Sequence, residues 1–210
     1  MILTNIISIV YNNTMCSKLR VKALTKAIHY IVDNDVPGDF VECGTWRGGL
    51  AALMLHYIRK TEDKRLYIYD TFEGMPEPGE NDCGTSKRKY QENKGDWCKA
   101  DIDIVKSVLQ QVDPSYSDLC YLVKGKVEDT LDSITPQTVA LARLDTDWYE
   151  STKKELEVLY PRVQPRGYVL IDDYTDWNGC RQAVDEYLAT IDKATYTSEV
   201  VDGSLVIQKK

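Results

Sequence analysis

Residues 39–49 read Asp39-Phe40-Val41-Glu42-Cys43-Gly44-Thr45-Trp46-Arg47-Gly48-Gly49. A short apolar strand runs straight into a glycine-rich turn, and an apolar stretch at helical spacing follows over 46–59. This strand–turn–helix unit sets the reading of everything around it. Upstream, Leu19, Val21, Leu24, Ala27, Ile28, Ile31 and Val32 fall near helical spacing, and Pro37-Gly38 ends that helix. Downstream, a second strand over 66–69 stops on Asp70. A polar stretch rich in Gly, Pro and Asn then runs to about residue 99, the length of a lid or binding loop. The alternation resumes with a helix over 101–112, capped by Asp101, and strands over 119–123 and 139–144. Next come a helix over 149–160 stopped by Pro161, a strand over 168–171 and a helix over 179–191. Asp202-Gly203 between apolar runs at 196–201 and 204–208 marks a closing hairpin. Strands alternating with helices predict a mostly parallel seven-stranded sheet with right-handed crossovers and an antiparallel edge.

Composition narrows the partners. In 210 residues, 33 acidic side chains outnumber 26 basic ones, for a net charge of −7. A duplex nucleic acid needs a basic face, so none is expected as a partner. No apolar run approaches the ~20 residues that span a bilayer, so no membrane partner is expected. Cys16, Cys43, Cys83, Cys98, Cys120 and Cys180 form no C-x-x-C pair, which argues against zinc. The opening MILTNIISIV has no basic n-region and no cleavage site after it, so free thiols and a cytoplasmic location are expected. Its residues Ile2, Leu3, Ile6, Ile7 and Ile9 suggest a helix packed on a neighbouring subunit of a homo-oligomer. Residues 1–36 are read as an N-terminal helical arm and 37–210 as the main domain, with a candidate lid at 73–100.

In an open parallel sheet, ligands bind beyond the carboxyl ends of the strands. Here each of those ends carries an acid or a glycine turn. The first turn, E-x-G-x-x-x-G, lets backbone approach a ligand, but Glu42 stands where the dinucleotide fingerprint needs glycine. An acid there suits a cofactor with an ammonium and no pyrophosphate. Asp70, one strand over, can accept from two ribose hydroxyls. Together they favour S-adenosylmethionine. Asp145, Asp172 and Asp173 each follow an apolar strand, and three carboxylates at one edge call for a hard divalent cation, Mg²⁺ by default.

Four blocks in order then carry a resemblance: residues 39–49, Tyr69-Asp-Thr-Phe-Glu-Gly-Met-Pro76, Leu144-Asp-Thr-Asp-Trp-Tyr-Glu-Ser-Thr152 and Gly167-Tyr-Val-Leu-Ile-Asp-Asp-Tyr174. They look like the macrocin O-methyltransferase family, matching from about Thr14 to Arg181. The resemblance implies a Rossmann-like class I methyltransferase fold and Mg²⁺-dependent methylation of a sugar hydroxyl. It implies that Glu42, Cys43, Gly44, Thr45 and Trp46, with Asp70, Thr71, Phe72 and Gly74, line the cofactor. Val127 and Glu128 would lie near the adenine, and Thr14 and Met15 would close over it. Asp145, Asp172 and Asp173 would hold the metal, with Asp145 also beside the cofactor and serving as general base. Related catechol-type enzymes place a lysine base where this chain has Trp148, so sugar hydroxyls gain over catechols.

The expected reaction is in-line methyl transfer to a small-molecule or glycan hydroxyl, with the segment from Glu73 to Lys99 excluding water. Two alternatives stay open at this level. Asp145-Thr146-Asp147 is also the D-x-D of metal-dependent nucleotide-sugar glycosyltransferases, and a non-catalytic cofactor-binding scaffold could keep the same fold. His29, His56 and the run Lys87-Arg88-Lys89 are read as structural or solvated groups, and Arg181 as a partner for a rim acid.

Overall fold

The computed structural model of the protein describes residues 2–93 and 96–210. Met1, the side chains of residues 2–5, and Lys94 and Gly95 of the expected lid lie outside the described residues, and with them the reading of Ile2 and Leu3. Strands β1 (Asp39–Cys43), β2 (Leu66–Asp70), β3 (Cys120–Lys124), β4 (Val139–Leu144) and β5 (Val163–Ile171) pair in parallel. The hairpin of β6 (Tyr196–Val201) and β7 (Ser204–Lys209) joins β5 antiparallel, giving the order β3-β2-β1-β4-β5-β7-β6. Asp202 (φ 51°) and Gly203 (φ 91°) fill the two left-handed positions of its turn, which an Asp-Gly pair accepts readily. All six residues of β4 are buried, as expected of a central strand covered on both faces.

Alternation along the strands feeds two cores. Phe40, Leu66, Ile68 and Ala140 face α1 (Ile2–Asn12), α2 (Lys18–Asp33), α3 (Gly49–Ile58) and α5 (Ile102–Val112). Val41, Cys43, Tyr69 and Ala142 face α6 (Val127–Thr130), α7 (Tyr149–Leu159) and α8 (Asn178–Ala189). Each fully buried side chain, such as Ile28 or Leu156, contributes roughly 1.5–3 kcal/mol relative to leaving it exposed.

Three departures from the sequence reading have physical causes. The arm packs on its own chain as well: Ile6, Ile9 and Val10 of α1 are buried in the core, while Ile7 stays exposed. The end of α1 also docks on the start of α3, where the Gly49 N–H donates to the Asn13 carbonyl at 3.0 Å. Strand β5 begins at Val163, well before residue 168. Pro165 reads as a breaker, yet it and left-handed Arg166 lie exposed where pairing with β4 jumps from Val139–Val163 to Leu141–Tyr168. An exposed irregularity tolerates a missing N–H. Finally, the expected loop contains α4 (Thr85–Glu92).

The sheet order reverses between β1 and β4, and there the turns after the two strands touch. Gly44 (φ 79°) lies so close that a Cβ on it would stand 2.1 Å from the Asp145 carbonyl oxygen. Only glycine fits.

Candidate active site

A cleft of about 310 Å³ opens along this carboxyl edge. Its first wall is made by Asp70. One carboxylate oxygen accepts from the Thr45 and Trp46 N–H groups at 2.8 and 3.2 Å, and the other from the Phe72 N–H at 2.7 Å. Trp46 (φ 49°) and Phe72 (φ 54°) take left-handed conformations to aim those donors. Burial pushes the Asp70 pKa up, while the three backbone donors oppose the shift.

Of the residues assigned to the cofactor by resemblance, Thr14, Met15, Glu42, Gly44, Thr45, Trp46, Asp70, Thr71, Gly74, Val127, Glu128 and Asp145 line the cleft. Cys43 and Phe72 do not. Cys43 alternates with Glu42 along β1, so its side chain enters the opposite core, and the Phe72 ring turns into the core under α3 and α5. Glu42 reaches the cleft, but its oxygens already accept from the Thr45 hydroxyl at 2.7 Å and from Arg143 at 3.1 Å. It braces the wall, and would meet an ammonium only with the acceptor capacity left beside those two donors.

The second wall is acidic. Oxygens of Asp145, Asp147 and Asp173 all lie within 4.8 Å of one another, and so do ligand atoms of Cys16, Asp145 and Asp172. Arg143 stands among them on the buried strand β4. Its Nη2 lies 2.6 Å from Asp145, 3.2 Å from Asp172 and 3.1 Å from the Cys16 sulfur. From α2, Arg20 reaches Asp172 at 3.1 Å, Asp173 at 3.0 Å and Asp176 at 2.5 Å.

The acids therefore differ in kind. Asp172 is pushed up by burial, but Arg143 and Arg20 outweigh that and hold its pKa below the usual carboxylate value. Burial drives Asp145 well up against the pull of Arg143, helped by Asp172 and Asp173. Asp147 rises through burial and the charges of Asp173 and Asp145. Carboxylates that raise one another's pKa in this way are a donor set that fits a hard divalent cation. The Cys16 thiol, pushed up to about 12 by burial, stays protonated and is a poor ligand.

The expected lid closes the outer side. Trp97 meets Trp148 and Trp177 edge-on at centroid distances of 5.7 and 5.8 Å, and Trp148 donates to the Pro76 carbonyl at 2.9 Å. Lys89 of α4 stands 5.0 Å over the Trp177 ring. Sequence reasoning missed Arg143 and Arg20, left the role of Asp147 open, and read Lys89, which here stands over the Trp177 ring, as a solvated charge. An arginine inside an apolar strand was the available signal for the first. His29 hydrogen-bonds Tyr57 on the helical face at 2.8 Å, and Arg181 pairs with Asp185 in its own helix at 3.6 Å, not with a rim acid.

A mixed seven-stranded sheet of this order, with its cleft at the switch point, is the Rossmann-like fold of class I methyltransferases. Solved structures agree: the O-methyltransferase NovP superposes with a TM-score of 0.85 at 30% identity, covering 94% of this chain and 82% of that one. The model of the family described as macrocin-O-methyltransferase (TylF) matches residues 9–209. Demethyldecarbamoylnovobiocin O-methyltransferase of Streptomyces niveus is 33% identical over 87% of this chain and 70% of its own length. The 8-demethyl-8-(2,3-dimethoxy-alpha-L-rhamnosyl)-tetracenomycin-C 4'-O-methyltransferase of Streptomyces olivaceus is 33% identical over 91% and 73%. The chain belongs to the macrocin O-methyltransferase family and is a methyltransferase. That membership displaces the glycosyltransferase and scaffold readings. Among the described residues, no helix is long and apolar enough to cross a membrane, and the six cysteines are free.

Proposed function

We propose that the protein methylates a hydroxyl of a sugar or glycosylated small molecule, using S-adenosylmethionine and Mg²⁺. The observation that carries this is the meeting of the Asp70-braced turn and the acid cluster in one cleft. The relatives named for glycosylated acceptors support the acceptor class. S-adenosylmethionine supplies a methyl already activated by its sulfonium. Asp70 keeps acceptor capacity for ribose hydroxyls beyond its three backbone donors. Glu128 and Val127 border the adenine, and Thr14 and Met15 lie over the cofactor from the arm.

Asp145, Asp172 and Asp173 would hold Mg²⁺, with Asp147 within reach of the first and last. Asp172 joins only by yielding one of its arginine contacts. Bound there, the cation would lower the pKa of an acceptor hydroxyl and fix its oxygen. Asp145 takes that proton as the oxygen attacks the methyl carbon. A second reading gives the proton to Asp147. Arg143, 2.6 Å from Asp145, opposes protonation there, and no arginine pairs with Asp147 among the described residues. The lid tryptophans exclude water from the transfer.

We further place the protein in a reducing, cytoplasmic setting, from its free thiols, and as a homo-oligomer, for which exposed Ile7, Tyr11 and Leu19 offer apolar contacts. Calorimetric titration of S-adenosylhomocysteine, with Mg²⁺ and then with EDTA, tests the cofactor. Micromolar binding is expected in both. Absence of binding in both would remove the reading, and a screen of sugar acceptors with Mg²⁺ follows a positive result.

A further inference from the structure

The lid carries a buried acid that the proposed mechanism does not use. Asp82 is 0% exposed, although Asn81 and Cys83 beside it are exposed. One of its oxygens accepts from the Gly79 N–H at 3.0 Å, which shapes the lid itself. The other accepts from the Tyr149 N–H at 2.9 Å. Tyr149 opens α7, whose N-cap residue Trp148 makes no side-chain cap. Asp82 thus supplies, from a distant segment, the acceptor that a local serine or aspartate supplies at most helix starts.

A second helix meets the same carboxylate. Trp177 before α8 also makes no side-chain cap. A Cβ on Gly179, in the first turn of α8, would stand 1.8 Å from the Asp82 oxygen and 3.2 Å from the Tyr149 nitrogen. The missing side chain is the room the carboxylate occupies. Two positive helix ends therefore converge on one lid acid. Both helices start directly after the acid loops, α7 after Asp145-Thr146-Asp147 and α8 a few residues past Asp172-Asp173.

We propose that Asp82 is a positioning residue that latches the lid to the starts of α7 and α8, so that lid docking and the placement of the site acids are one state. Its consequence for catalysis rests on the methyltransferase reading, but the latch itself does not. Asp82→Ala should raise amide exchange roughly fivefold, the equivalent of one lost helix cap, in 76–93 and together with it in 144–150 and 174–180. Trypsin should cut at Lys87, Arg88 and Lys89 faster by a similar factor, and tryptophan emission should shift red as Trp97 leaves Trp148 and Trp177. Asp82→Asn, which keeps an acceptor for Tyr149, should restore most of the protection. Gly179→Ala, which fills the carboxylate's space without altering its charge, should behave like Asp82→Ala.

Wild-type exchange in 144–150 once Asp82 is removed would overturn the proposal, whatever the lid does. Should Asp82→Ala fail to fold, the wild-type protein decides. The Gly79 and Tyr149 amides are expected to exchange at one rate, and a protected Tyr149 amide beside a freely exchanging Gly79 amide would overturn the latch. Failure of S-adenosylhomocysteine to bind the wild type would count against the methyltransferase mechanism only.

Discussion

The two walls of the cleft are built by different means. On the cofactor side, Asp70 fixes a turn with three backbone N–H groups, two of them in the adjoining β1 turn and one two residues along its own chain. On the acid side, Arg143 and Arg20 organise carboxylates of β1 and of the turns after β4 and β5 through ion pairs that, Arg143–Asp145 apart, join separate elements of the chain. The first wall is stabilised by backbone geometry and the second by balanced charge. Damage to the first should weaken binding, and damage to the second should cost turnover or the fold.

The largest expected effect tests that division directly. Asp145→Asn should lower methyl transfer by about a hundredfold or more, the usual range for losing a general base, with S-adenosylhomocysteine affinity within a few fold. Asp147→Asn run alongside separates the two proton acceptors: whichever variant loses the rising acidic limb of the rate profile carried the base. Next in size is Arg143→Leu. It leaves Glu42, Asp145 and Asp172 without their shared cation, so urea unfolding should show a loss of roughly 3–5 kcal/mol. Arg143→Lys should recover only part, because an ammonium cannot reproduce the fork that reaches Glu42, Asp145 and Asp172. A stability unchanged in both variants would mean that the acid wall does not depend on its arginine.

Asp70→Ala is the corresponding cut on the other wall. Three N–H groups lose their acceptor and, on the proposed reading, the ribose loses its carboxylate. S-adenosylhomocysteine affinity should fall about tenfold, in line with one charge-assisted hydrogen bond of ~1.5 kcal/mol. Activity at saturating cofactor should fall much less than in Asp145→Asn. Equal losses in the two variants would erase the distinction between the walls.

The same contrast explains what could be read without coordinates. The E-x-G-x-x-x-G turn, Asp70 and the Asp-Gly hairpin were legible because each is marked by a short run of residue types at the end of a strand, although Asp70 also accepts from the β1 turn. The acids Asp145, Asp172 and Asp173 were legible because they end apolar strands. Arg20 and Asp82 were not, because their roles depend on which distant element lies opposite. Arg20 sits on an amphipathic helix where one more cation looks solvated, and Asp82 sits in a polar stretch that reads as loop. The early start of β5 was not legible because Pro165 and the exposed irregularity at Arg166 interrupt the apolar pattern ahead of residue 168. Ile6 and Ile9 of α1 signalled burial correctly, but not that α3 of the same chain packs against that helix.

The smallest effect is the most specific to charge balance. Glu155, on α7 beneath Thr146, is 0% exposed. It accepts from the Thr146 hydroxyl at 2.9 Å, and its second oxygen has no hydrogen-bond partner among the described residues. No arginine or lysine pairs with it among the described residues, so burial drives its pKa well up, and Glu128 adds to the shift. Asp172, flanked by two arginines, is shifted the other way. The two acids should therefore give opposite pH slopes. A lowered pKa, as in Asp172, lends stability that is present above the unfolded value of about 3.9 and lost as pH falls through the folded one. A raised pKa, as in Glu155, means that the folded state binds the proton more tightly. Stability then declines as pH rises from the unfolded value of about 4.3 through the folded one. Glu155→Gln keeps the acceptor for Thr146 and removes the titration. Urea midpoints from pH 5 to pH 9 should show the variant gaining on the wild type as pH rises, by ~1–2 kcal/mol, about what one unsatisfied buried group costs. A variant that instead lost ground at pH 9 would show that Glu155 is charged and partnered in the folded protein, and that acids without a compensating cation are confined to the cleft rim.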